Sequence, residues 1–236
     1  MALLHGPNIP ILLNPALWLD ASDGNTLFDA TVGGNLVTAN GAVAKWNDKS
    51  GNQNHATQST LAYRPIRKTN VVNNKDALFP TNQYFNLTTP INLSTHTIFA
   101  VFSRPSTGVW NTIIAYSGAS TPYGPLWGTD NHIYFFPNAS FLDSGITTNV
   151  GNFIISAVQN GSNSNIFLNG ISVAAGLLGT TSNYDQIMTR GNNISGNYFN
   201  GYFMELIILP YAASTEQRTN VENYLKTKWK IAPLYS

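Results

Sequence analysis

An all-β fold, two antiparallel sheets packed face to face and closed by one C-terminal helix, is what this sequence predicts, and three observations predict it. Of its 236 residues, 43% are hydrophobic but only 10% are charged, against about 25% charged in an ordinary soluble domain. Asn, Thr, Ser and Gly therefore fill the polar positions, which suits strands joined by turns and ill suits long solvated helices. Short runs of β-branched and aromatic residues recur from end to end with turn residues between them. Helical periodicity occurs once, near the C-terminus.

Taken in order, the amino-terminal third is irregular. Gly33-Gly34, Asn40-Gly41 and Ser50-Gly51 punctuate short apolar pieces, which predicts two or three strands and long loops. The run TIFAVF (Thr97 to Phe102) is continuously apolar and too short for a helix, so it predicts a central strand buried on both faces. Similar strands follow at TIIAY (Thr112 to Tyr116), HIYFF (His132 to Phe136), FIISAV (Phe153 to Val158) and NIFLNGISVA (Asn165 to Ala174). The last holds Asn169-Gly170 between apolar flanks, a strong hairpin signal because both residues tolerate φ > 0. NGYFMELIIL (Asn200 to Leu209) is another long strand, closed by Pro210. The period then changes. Ser214 stands three residues before Gln217, the capping-box spacing. Val221, Tyr224, Leu225, Lys228 and Trp229 recur at helical spacing, and Lys226, Lys228 and Lys230 sit near the negative end of the helix dipole. The prediction is one helix over about 214–230, held to the sandwich by Trp229. No linker, charge block or repeat splits the chain, so a single domain over 15–236, preceded by an arm over 1–14, is expected.

Composition also excludes function classes. A net charge of +1 with scattered Lys and Arg lacks the basic footprint of a nucleic-acid binder. The opening MALLHGPNIPILLNPALWLD has no Lys or Arg and is interrupted by prolines, so neither a secretory leader nor a membrane span is expected. Without cysteine, disulfide, thiol and Cys-metal chemistry fall away.

The order of motifs adds a resemblance. ALWLDASD (Ala16 to Asp23), then WNDKSGNQNHATQ (Trp46 to Gln58), TIFAVF, IFLNG and finally GYFMELIIL leading into STEQRTNVENYLKTKW span nearly the whole chain. In this order they resemble the laminin-G-like branch of the concanavalin A-like jelly rolls. The resemblance implies a jelly-roll sandwich of two sheets used to bind sugars, proteins or neighbouring subunits, in bacterial surface proteins and in virions. It also implies that Trp46, Asp48, Ser50 and Gly51 form a structural turn, with Trp46 packed inward, Asp48 accepting loop N–H groups and Gly51 at positive φ. Glu205 is implied to be structural, near the return to the helix.

His55 has no partner nucleophile or acid in the sequence and is expected to be a hydrogen-bonded loop residue. Glycoside hydrolysis needs two opposed carboxylates, and the long strand offers only Glu205, so no catalytic residue is assigned and the protein is expected not to be an enzyme. Asp20 and Asp23 are candidate Ca²⁺ ligands, though both also suit a turn before Gly24. Otherwise no cofactor is expected. Trp110, Tyr123 and Trp127, in Gly- and Pro-rich segments, are the candidate sugar platform; the alternative is that they cap the sandwich or fill a subunit contact. A laminin-G-like domain that starts beside its own Met1 without a leader points to a virion component. The expected function is non-enzymatic attachment at a virion surface, as capsid decoration or a fibre or tail part, with a capsid partner, homo-oligomerisation and glycan contact. The alternative is a carbohydrate-binding lectin or adhesion domain of a bacterial surface protein, working outside the cell.

Overall fold

The computed structural model describes residues 9–104, 106–108, 110–118, 124–137, 140–148, 150–179, 181–189 and 198–232. Helix α1 (Ile9–Leu12) precedes strands β1 (Leu17–Asp20), β2 (Leu27–Phe28), β3 (Lys45–Trp46), β4 (Ala56–Thr57), β5 (Ile66–Val72), β6 (Lys75–Phe79), β7 (Phe85–Leu93) and β8 (His96–Arg104). There follow β9 (Asn111–Thr112), β10 (Ile114–Ala115), β11 (Gly124–Trp127), β12 (Ile133–Phe136), β13 (Leu142–Asp143), β14 (Gly151–Gln159) and β15 (Ser164–Leu168). β16 (Ile171–Gly176), β17 (Ser182–Ile187), β18 (Tyr202–Leu209) and helix α2 (Thr215–Trp229) complete the order.

The strands form antiparallel sheets. The first layer is one sheet ordered β16-β15-β14-β8-β18-β6-β5, with β1 also paired to β18. The second layer differs from the single sheet expected. It consists of a six-stranded sheet, β10-β17-β7-β4-β3-β2, and a four-stranded sheet, β13-β12-β11-β9. The expected strand TIIAY breaks at Ile113: Asn111 and Thr112 pair with β11, whereas Ile114 and Ala115 pair with β17. Ile113 itself bonds to both neighbours, its N–H donating to Pro125 O and its carbonyl accepting from Met188 N. One short segment thus hands the layer from one sheet to the other.

Between the layers lies one core. From the first layer it takes Ile98, Ala100, Phe102, Ile155, Ala157, Leu206 and Ile208; from the second, Trp46, Phe85, Trp127, Ile133, Phe135, Tyr184 and Ile187. On β8 the alternate residues Phe99 and Val101 face outward, yet they too are buried, because α2 lays Val221, Leu225 and Trp229 against them. That is why the TIFAVF strand is apolar on both faces. Ser214 caps α2: its hydroxyl accepts from Gln217 N while the Gln217 side chain accepts from Ser214 N. In the β15–β16 hairpin, Asn169 (φ 48) and Gly170 (φ 88) make the turn. Of the segment expected as an arm, Ile11 and Leu13 pack against the α2 side of the molecule.

The helix is locked down by a buried polar cluster. Glu205, 1% exposed, accepts from Trp18 Nε1 (2.9 Å), Tyr224 Oη (2.9 Å), Lys228 Nζ (2.8 Å) and Trp229 Nε1 (2.7 Å). Lys228 also pairs with Asp20 at 2.7 Å, so one ammonium serves two carboxylates. Burial raises Asp20, but the Lys228 and Lys49 ammoniums outweigh it and hold its carboxyl below the usual carboxylate range. Each partner here is needed, since a buried charge stripped of its counter-charge costs about 3–5 kcal/mol.

Candidate functional site

The two outer faces of the sandwich are unlike. Outside the first layer lies α2; outside the second, no helix lies among the described residues. The second layer's outer face is therefore where side chains are left for a ligand.

Its polar half follows from strand register. Gln186 pairs with Asn86, Asn86 with Thr57, Thr57 with Lys45 and Lys45 with Phe28, so these five stand in one row across β17, β7, β4, β3 and β2. The neighbouring positions Ile187, Phe85, Leu87, Ala56, Trp46 and Leu27 point into the core, so by the alternation of a strand the row takes the other face, where Asn86 is exposed, Thr57, Lys45 and Phe28 are half-buried and Gln186 is buried. Gln186 Nε2 donates to Asn86 Oδ1 at 2.9 Å, and Lys45 Nζ lies 4.7 Å from the Phe28 ring centroid.

Its apolar half is on β12 and β13. Ile133 and Phe135 enter the core, so His132, Tyr134 and Phe136 face outward and are half-buried. Phe141 adds a third ring, 51% exposed. Phe136 and Phe141 stack at 4.8 Å between centroids, and Tyr134 stands 5.7 Å from Phe136 and 6.1 Å from Phe141. Across the strand pair Phe136 faces Gly124, which has no side chain to shield the ring. The result is a ledge of three rings at the molecular surface.

Carboxylates border the ledge. Tyr134 Oη donates to Asp130 Oδ2 at 2.5 Å, and His132 Nδ1 lies 3.1 Å from Asp143 Oδ1 and 3.8 Å from Asp130 Oδ2. The hydrogen bond from Tyr134 holds the Asp130 carboxyl below its ordinary value, and the same bond pushes the Tyr134 hydroxyl well above its own. The ledge thus presents ring faces beside ionised acceptors.

The residues singled out by sequence lie elsewhere. Trp127 is corrected: it is 0% exposed, packs 4.9 Å from Phe102 and 5.8 Å from Phe153, and donates through Nε1 to Thr148 Oγ1 at 2.6 Å. Gly124 and Pro125, taken as loop residues, are part of β11 itself, and that strand turns Trp127 inward. Trp110 is half-buried just before β9, and Tyr123 lies outside the described residues. At Asp20 and Asp23, the Ca²⁺ candidates, Lys49 Nζ stands 3.1 Å from Asp20 and 2.8 Å from Asp23. No group of three or more His, Cys, Asp or Glu converges among the described residues.

In the Trp46–Gly51 turn, Trp46 is fully buried and Gly51 has φ +93. Asp48 accepts from Trp18 N (3.0 Å), Ser50 N (2.9 Å), Ser50 Oγ (2.7 Å) and Asn54 N (3.0 Å). His55 Nδ1 accepts from Asp48 N at 3.1 Å, and Trp229 is fully buried beneath Glu205. The ring ledge escaped sequence reading although HIYFF carried its signal: with Ile133 and Phe135 inward, strand alternation exposes His132, Tyr134 and Phe136.

No protein-family model matches the chain, and no curated protein matches it by sequence. Solved structures do match its shape. Domain 4 of AbnA, a GH43 extracellular arabinanase from Geobacillus stearothermophilus solved with arabinotriose, superposes with a TM-score of 0.58 at 12% identity, over 88% of this chain and 98% of that one. Trypanosoma rangeli sialidase superposes with a TM-score of 0.52 at 8% identity, over 90% of this chain and 32% of the sialidase. A sialidase complex with 2,3-difluorosialic acid gives 0.51 at 7% identity, over 91% and 33%. This chain therefore spans about a third of the sialidase's length. At such identities the likeness is one of fold, and the chain is an all-β jelly-roll sandwich with one C-terminal helix against its first layer.

Proposed function

We propose that residues 15–236 form one non-catalytic carbohydrate-binding unit, which grips an oligosaccharide on the outer face of its second layer. The observation that carries this reading is the ledge of Tyr134, Phe136 and Phe141, partly exposed on the face that α2 leaves uncovered. Sugar rings have apolar faces that stack on aromatic rings and hydroxyl edges that need acceptors, and Asp130 and Asp143 supply those. An arabinanase domain of the same fold has been solved with arabinotriose, which supports the reading at the level of the scaffold. The place of action that goes with it is outside the cell or at its surface. The laminin-G-like kinship belongs to the same proposal and rests on the Trp46–Gly51 turn and the order of motifs.

Attachment to a virion surface, with a capsid partner and a homo-oligomer, draws no support from the fold or from the comparisons. The lectin or adhesion alternative draws more. Cleavage of the sugar draws no support from the site, since no opposed carboxylate pair of the kind glycoside hydrolysis needs has been identified at the ledge.

Binding of the purified chain to an oligosaccharide panel tests the reading. Phe141→Ala and Phe136→Ala are each expected to weaken binding about tenfold, as the loss of a stacking contact worth about 1.4 kcal/mol requires. No reducing ends should be released. Binding that both variants leave untouched, or none by the parent chain, would overturn the proposal.

A further inference from the structure

Resting on the glycan reading above, we infer that the ledge selects neutral oligosaccharides and rejects acidic ones, those bearing sialic acid or uronic acid carboxylates. The distribution of charge argues for it. Basic residues are less evenly scattered than the net charge suggests, for no Lys or Arg occurs between Arg104 and Arg190, while Asp130, Asp143 and Asp185 fall in that interval. Strands β9 to β13, among them β12 and β13 that carry the ledge, lie wholly within it. The nearest cation in sequence is Arg104, and it is sealed away: 1% exposed, it donates to Thr148 O (3.2 Å), Thr148 Oγ1 (3.3 Å) and Asn131 Oδ1 (2.6 Å). Among the described residues, β9 to β13 carry no Lys or Arg.

The acceptors, in contrast, are at hand. Asp143 Oδ1 accepts from Gly145 N at 2.8 Å and stands 3.1 Å from His132 Nδ1, Oδ2 lies 3.4 Å from His132 Nδ1, and the carboxylate also meets the Tyr134 hydroxyl. A carboxylate offers about four lone-pair sites and no donor, so Asp143 and Asp130 welcome sugar hydroxyls and repel a sugar carboxylate. Recognition of a carboxylate ordinarily uses an Arg fork or an ammonium, and β9 to β13 carry neither Arg nor Lys. At about 6 Å in water each ledge carboxylate weakens binding of an acidic glycan about threefold, and the pair about tenfold.

The test uses matched probes: lactose against sialyllactose, and galactotriose against trigalacturonic acid, titrated calorimetrically into the full chain at low salt and pH 8. The neutral member is expected to bind at least tenfold more tightly, with the gap narrowing at high ionic strength and in the Asp130→Asn/Asp143→Asn double variant. An acidic member that binds as tightly as its neutral mate, and loses that binding in Phe141→Ala, would overturn the inference and leave the glycan reading standing. No binding by any oligosaccharide of a broad panel would sink both together.

Discussion

His96 sits at 0% exposure with its Nε2 2.9 Å from Tyr184 Oη, flanked by the Phe135 and Tyr184 rings. Burial pushes its pKa down to about 3, so the folded protein holds a neutral imidazole that the unfolded chain, at about 6.5, would protonate. Stability from this group is therefore complete above pH 6.5 and is lost as the pH falls towards 3. Between pH 7.5 and 4.5 the loss is about 3 kcal/mol. Urea denaturation at the two pH values checks it, and His96→Gln should lose that share of the pH dependence. At this scale the sequence spoke clearly where chemistry is local and faintly where it is not. The capping pair Ser214 and Gln217 and the turn Asn169-Gly170 each carry their geometry in neighbouring residues. Trp127 and Tyr134 do not: which ring is buried depends on the strand face, and Gly and Pro beside Trp127 suggested a loop where β11 runs.

Elements were legible where both their faces, or their periodicity, left a mark. β8 and β18 carry apolar residues on both faces because one face meets the core and the other meets α2. The break of TIIAY into β9 and β10 was not legible, since it arises from Ile113 bonding to two partners distant in sequence. Gly124 marks that junction: a Cβ there would stand 1.9 Å from Ile114 O, and its φ is +75. Gly124→Ala must move backbone, so it is expected to destabilise by more than about 2 kcal/mol and to disturb β9 and β11 first, readable by amide hydrogen exchange. Loss of the cap in Ser214→Ala should cost about 1 kcal/mol in denaturant titration without changing oligosaccharide binding, because α2 lies on the opposite side of the sandwich from the ledge.

For the whole molecule, asymmetry governs. One layer is closed on both sides, by the core and by a helix anchored through Glu205, Trp18 and Trp229; the other keeps an outer face of amides, hydroxyls and rings. The low charge density of the sequence announced such a neutral surface, but it could not say which layer would present it. The measurement that tests this account most directly is NMR mapping of backbone and aromatic shifts as a bound oligosaccharide is titrated to saturation. The account predicts changes concentrated at Tyr134, Phe136, Phe141 and Asp143, with Glu222 and Lys226 on α2 unmoved. Changes confined to the helix side, or none at the ledge, would contradict it.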